Sequence, residues 1–143
     1  MKSALRCFLA GVLLALMTPF ALATEMSEAD STAIQQVVAL QLDALADDDA
    51  DKAFDLAAAS AQMQIGSADN FLQLIKDRYP PIYRHRAVLF SPAEMIDGQA
   101  FLIVRLTDRD NSVWLAIYQM EQDTEGAWKI GGCSLVETSI VSI

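Results

Sequence analysis

The apolar positions keep two different rhythms. Between Thr24 and Pro80 they recur every three or four residues, and beyond Pro81 they alternate. In the first region Ile34, Val37, Val38, Gln41 and Leu45 fall on one helical stripe, with Asp30 or Ser31 as the N-cap. That helix should fade in "ADDDAD", residues 46–51, where clustered aspartates repel one another and favour a turn. One of these aspartates then caps a short helix over "KAFDLAAAS", burying Phe54 and Leu56 or Ala57. A third helix follows Gly66 and the cap Ser67, carries Phe71, Leu72 and Ile75, and stops at Pro80-Pro81.

The second region predicts four strands: Ile82–Phe90, Ala100–Thr107, Val113–Glu121 and Ala127–Val136. "DGQ", "DRDNS" and "DTEG" supply the short turn chemistry of antiparallel hairpins. Gly131-Gly132 inside the last strand predicts a bulge or sharp bend. Helices followed by a meander give an α+β fold, with N-terminal helices packed on a curved four-stranded antiparallel sheet.

The first residues change the picture of where this domain works. Lys2 and Arg6 precede an apolar run from Cys7 to Leu16, Pro19 breaks it, and Ala21-Leu22-Ala23 offers small residues for cleavage. These are the zones of a signal peptide over residues 1–23, with a mature domain over residues 24–143 exported to a bacterial periplasm. The run is short of the about 20 apolar residues that span a bilayer, so no stable membrane anchor is expected. The formal net charge is −9, and without Lys2 and Arg6 eight basic residues face nineteen acidic ones, or −11. Such a surface repels nucleic-acid phosphates, so no nucleic-acid partner is expected. Cys133 is then the sole cysteine, unable to close an internal disulfide, and is read as a small buried residue.

Four of the ten Lys and Arg residues, and the one histidine, lie in "KDRYPPIYRHR", residues 76–86. If the strand begins at Ile82, then Arg84 and Arg86 share a face and could grip one carboxylate or phosphate. The alternative is a solvated strand edge whose arginines pair with Asp108 or Glu121 on neighbouring strands. His85 is the candidate proton carrier, because imidazole titrates near neutrality. Nothing in the pattern asks for a metal or a cofactor: a lone histidine makes no zinc cluster, and "DDDAD" lacks the glycine and distal glutamate of a calcium loop. Nucleophile elbows, P-loops and dinucleotide fingerprints are missing, so no catalytic residue is assigned. Along the third strand Trp114, Ala116, Tyr118 and Met120 share one face, and Val113, Leu115, Ile117 and Gln119 the other. Two apolar faces imply a second covering layer, by a homodimer through the sheet or by the sheet's own curl.

Several stretches resemble a known family. "QLDALADDDADKAFDLAAAS", "IGSADNFLQLIKDRYPPIYRHRAVLF", "DGQAFLIVRLTDRDNSVWLAIYQME" and "WKIGGCSL" are similar to the bacterial domain-of-unknown-function 4864 family. The helix-then-meander order resembles the wider nuclear-transport-factor-2-like, cystatin-like cones. The resemblance implies a curved sheet wrapped on helices, with a pocket in the mouth of the cone. Related cones include isomerases and dehydratases as well as modules that only bind, so fold alone assigns no reaction. The expectation is a non-catalytic module binding a small anionic or apolar ligand or a protein, at a mouth bordered by Tyr79, Tyr83, Arg84, Arg86, Trp114 and Tyr118. The alternatives are an acid–base pocket enzyme and a structural homodimer subunit.

Overall fold

The computed structural model describes residues 25–138, so the leader expected over residues 1–23 lies outside the described residues. The first helix, α1, spans Glu28–Ala46. Its cap is Ser27, one turn earlier than the expected Asp30 or Ser31. Ser27 Oγ accepts from the Asp30 amide at 3.0 Å, and donates to the Asp30 carboxylate at 2.9 Å. Ser-Glu-Ala-Asp has the spacing of a capping box with Asp in place of the usual glutamate, and this local pairing outcompetes the later candidates. The predicted stripe is the buried one: Ile34, Val38, Gln41 and Leu45 all face inward, joined by Leu42.

The acidic turn ends α1 where expected. Asp48 takes the left-handed conformation at φ 57°, and Asp49 caps α2, Ala50–Asp55, accepting from the Lys52 amide at 3.2 Å. The second helix was expected to run on to Ser60, but it stops at Asp55. Leu56 caps the helix, and Ala57 and Ala58 then bridge to the last strand, Ala58 in extended conformation. The Ala58 amide donates to the Ile130 carbonyl at 2.8 Å, and the Ile130 amide to the Leu56 carbonyl at 2.9 Å. Two long-range backbone bonds override the helix propensity of three consecutive alanines. A helix not foreseen, α3, then covers Ala59–Ile65 before Gly66. The next, α4, spans Ala68–Arg78 and is capped as expected by Ser67, which accepts from the Asn70 amide.

The expected strand start at Ile82 is wrong. Pro80–Tyr83 form a short helical turn, α5, and the first strand, β1, covers only Ala87–Phe90. Proline suits the first turn of a helix because its φ is preset and its missing N–H had no partner there anyway. Alternation therefore does not extend back to Arg84, and the reasoning that set Arg84 beside Arg86 on one strand face loses its basis. A three-residue strand, β2 (Glu94–Ile96), was also missed; Asp97-Gly98, both at positive φ, joins it to β3 (Gln99–Thr107) in a two-residue hairpin. The last two strands, β4 (Val113–Gln122) and β5 (Trp128–Thr138), match expectation within two residues.

The sheet is antiparallel and open, ordered β1-β3-β4-β5, with β2 also on β3. The fold class is α+β, as read from the two rhythms. One face of the sheet carries Leu102, Val104, Leu106, Ala116, Tyr118 and Met120, all nearly inaccessible and in one cluster with the α1 stripe. Burying a large aliphatic or aromatic side chain of this kind stabilises by about 1.5–3 kcal/mol. The predicted irregularity in β5 is present: its register with β4 shifts between Gln119 and Met120, leaving Gly131 as the extra residue. A Cβ on Gly131 would stand 2.8 Å from Glu121 Oε1, so a bare backbone is what lets the Glu121 side chain cross the bulge.

Candidate functional site

The β5 bulge and the α2–α3 bridge leave a gap between the helices and the inner sheet face. This cavity measures about 180 Å³. Its walls are mostly apolar: Ala57, Ala61, Ile65, Phe71, Ile75 and Ile130. Polar atoms come from Gln41, Gln64, Tyr118, Cys133 and the Gly131-Gly132 backbone, and the lining contains no carboxylate, imidazole or basic side chain. Gln41 sits on the buried α1 stripe and donates to the Ala53 carbonyl at 3.1 Å, which ties α1 to α2 beside the cavity.

Tyr118 and Cys133 face each other across the β4–β5 pair. Tyr118 is 1% exposed, and its Oη has no hydrogen-bond partner among the described residues. Burial raises the Tyr118 phenol well above its ordinary value, with the nearby thiol adding to the shift. Burial also pushes the Cys133 thiol up to about 12, which the adjacent phenol only partly offsets. The thiol donates to the Ser134 carbonyl at 3.8 Å, and its sulfur is the nearest polar neighbour of the phenol. Both groups are neutral at physiological pH. The cavity therefore offers neutral donors in an apolar shell, with no group able to exchange a proton near neutrality. The expectation of a buried Cys133 holds for its thiol, while the residue as a whole is half-buried.

A second, open hollow of about 490 Å³ lies where α4, α5 and the β3–β4 turn meet. Arg78, Arg84 and Arg109 line it with Tyr79, Trp114 and Leu135. Asp108 also borders it, but that carboxylate is occupied. It accepts from the Asp110 and Ser112 amides and from Trp114 Nε1, each at 2.9 Å, and the Trp114 bond is the chief cause of its lowered pKa.

The structure divides the sequence-derived candidates. Tyr79 and Tyr118 line the cavity, and Tyr79, Arg84 and Trp114 line the hollow, so Tyr79 belongs to both. Tyr83 and Arg86 line neither. Tyr83 donates from Oη to Asp48 in the acidic turn, while Lys76 and Arg84 approach the same carboxylate at 3.3 and 3.5 Å. Those two cations also lie 5.3 and 4.6 Å from the centre of the Tyr83 ring. The Tyr83 bond, ahead of the two cations, holds the Asp48 carboxyl below its usual value. The acidic turn is thus not simply solvated, and Arg84 reaches it rather than Asp108 or Glu121 on the strands. His85 is half-buried and borders neither space; burial depresses its pKa against a Pro81 carbonyl bond and the Asp43 charge, and Nδ1 has no partner among the described residues. Arg78 and Arg109 lie within the quoted stretches "KDRYPPIYRHR" and "DRDNS" but, like Gln64, are not among the site residues expected from sequence; a polar Gln41 on an apolar stripe is the other signal.

Among the described residues, no group of three or more His, Cys, Asp or Glu side chains could hold a metal ion, and no helix is long and apolar enough to cross a membrane. No curated protein and no solved structure matches the chain. One family does, over residues 27–143, under the description "Domain of unknown function (DUF4864)". Spanning nearly the whole described fold, that match makes the chain a member of the DUF4864 family.

Proposed function

We propose that this chain is an exported, non-catalytic binding module of the cone type, whose interior cavity takes a small apolar group bearing a hydrogen-bond acceptor. The single observation that carries this reading is Tyr118, which lines the cavity and whose buried hydroxyl has no partner among the described residues. A buried, unsatisfied hydroxyl costs about 1–3 kcal/mol, so a fold that keeps one beside an apolar space is poised to donate to a guest. The size fits as well: an apolar cavity of about 150 Å³ admits benzene, and this one, which opens to solvent past Gln64, is slightly larger. The neutral lining argues against the acid–base enzyme, because His85 stands outside both spaces. Export is inferred from the leader pattern of residues 1–23.

The test is titration of the protein with Nile red, a neutral apolar probe, followed by fluorescence. Saturable binding that Ala61→Phe abolishes by filling the cavity is the expected result, with Tyr118→Phe weakening it about two- to tenfold. No saturable binding, or binding indifferent to Ala61→Phe, would refute the cavity reading. Mass spectrometry of the natively purified protein then identifies the resident ligand.

A second reading is favoured by the outer sheet face. Leu89 is 64% exposed, Val136 49% and Ile103 41%, and the register sets Leu89, Arg105, Leu115 and Val136 in one row across four strands. Exposed aliphatic side chains on one sheet face, with Arg105 among them, suit self-association through the sheet. Sedimentation velocity across a hundredfold concentration range tests it, and a strictly monomeric species throughout would eliminate the homodimer.

A further inference from the structure

We propose that Arg78 and Arg109 form a headgroup subsite for an amphiphilic anion whose apolar end enters the interior cavity. This inference rests on the cavity reading above and extends it to the class of ligand. In a chain of formal net charge −9, one hollow gathers three arginines. Their states differ. Arg84 is engaged with Asp48 at 3.5 Å, whereas Arg78 and Arg109 have no carboxylate within 4.0 Å among the described residues. Of the two acidic residues on the wall, Asp108 already accepts from three donors, and Asp110 is exposed on the turn, as Arg78 and Arg109 are exposed at the rim. Two guanidinium forks are therefore available to an anionic oxygen group, a carboxylate or a phosphate, which they match in shape as well as charge.

The hollow and the cavity adjoin. Tyr79, half-buried, lines both. On β5 the cavity residue Cys133 and the hollow residue Leu135 lie on the same face, two positions or about 7 Å apart. On β4, Tyr118 and Trp114 also share a face but stand four positions, about 13 Å, apart, with the fully buried Ala116 between them. A guest with its apolar end at Tyr118 thus has its other end directed past Tyr79 towards Arg78 and Arg109. Leu135, Trp114, Pro80 and Pro81 give the hollow an apolar floor that a hydrated free anion would not need. An amphiphile uses both.

Isothermal titration of the protein with octanoate, octyl phosphate and octan-1-ol separates the two claims. Octan-1-ol tests the cavity alone, and the preference for the anions tests the hollow. The expected result is binding of at least one anion about tenfold or more tighter than octan-1-ol, as an arginine contact to a charged oxygen provides. The tighter anion identifies the headgroup as carboxylate or phosphate. Arg78→Gln with Arg109→Gln should bring that anion down to the octan-1-ol level while leaving octan-1-ol unchanged. Circular dichroism checks that the double variant is folded, and Arg78→Lys with Arg109→Lys should recover part of the preference. Equal affinity for alcohol and anions, or a preference that survives the double glutamine variant, would overturn the headgroup subsite and leave the cavity reading standing. Anion binding that Ala61→Phe does not weaken would overturn the amphiphile, because the hollow would then act alone. Absence of binding by all three probes would overturn both.

Discussion

Alkylation of Cys133 measures directly whether the thiol at the cavity wall is as buried and neutral as its surroundings indicate. The thiol stands at about 12, against 9.0 for an ordinary cysteine. Only the thiolate attacks iodoacetamide. At pH 8 about a tenth of an ordinary thiol is ionised, but only about one part in ten thousand of a thiol near 12, a deficit of about a thousandfold. The folded protein should therefore label about three orders of magnitude more slowly than the same chain in 6 M urea. The folded rate should rise about tenfold per pH unit from 8 to 11, while the unfolded rate levels off near 9. The sign for stability follows. Because the folded pKa is raised, this contribution is fully present below pH 9 and is lost as pH climbs towards 12. The assay is mass spectrometry of the alkylated protein over time, with folded and unfolded samples labelled in parallel. Folded labelling within tenfold of the unfolded rate would mean an ionisable, solvated thiol, and the neutral-cavity reasoning would fail with it.

Three further outcomes follow from the same geometry. Tyr118→Phe should stabilise the unliganded protein by about 1 kcal/mol, since it removes a buried hydroxyl that has no partner; urea denaturation reads this, and destabilisation beyond 1 kcal/mol would show that the hydroxyl is satisfied. Asp48→Asn should destabilise the α1–α2 turn at pH 7 and have no further effect at pH 2. The carboxyl's lowered pKa means that its contribution is present above pH 4 and lost as pH falls through the folded value, so thermal melts of both proteins at the two pH values should converge in acid. Ser27→Ala should cost about 1 kcal/mol by uncapping α1, read by urea denaturation; a cost below about 0.3 kcal/mol would contradict the assigned helix start.

Much of the fold was legible because it is written in local chemistry. The α1 stripe from Ile34 to Leu45, the Ser67 cap, the Asp-Gly hairpin and the Gly131-Gly132 irregularity each depend on neighbours a few residues away. Failures occur where a distant backbone decides. The chain from Leu56 to Ala58 looks helical but is captured by Ile130, some seventy positions later. Ile82 looks like strand but closes a turn nucleated by Pro80 and Pro81.

The candidate site divides the same way. Sequence alone determined the helix-then-sheet order, the acidic balance, and the concentration of basic and aromatic residues around Tyr79. Only tertiary structure decided which of those residues meet. It sent Tyr83 and Arg84 to Asp48, left His85 outside both spaces, and brought Arg109 from another turn to stand with Arg78. It also set Tyr118 beside Cys133 in a space lined from α1 to β5. The physical reason is that charge and rhythm are properties of residues, whereas a cavity is the volume that packed elements fail to fill, and its walls come from segments far apart in the chain.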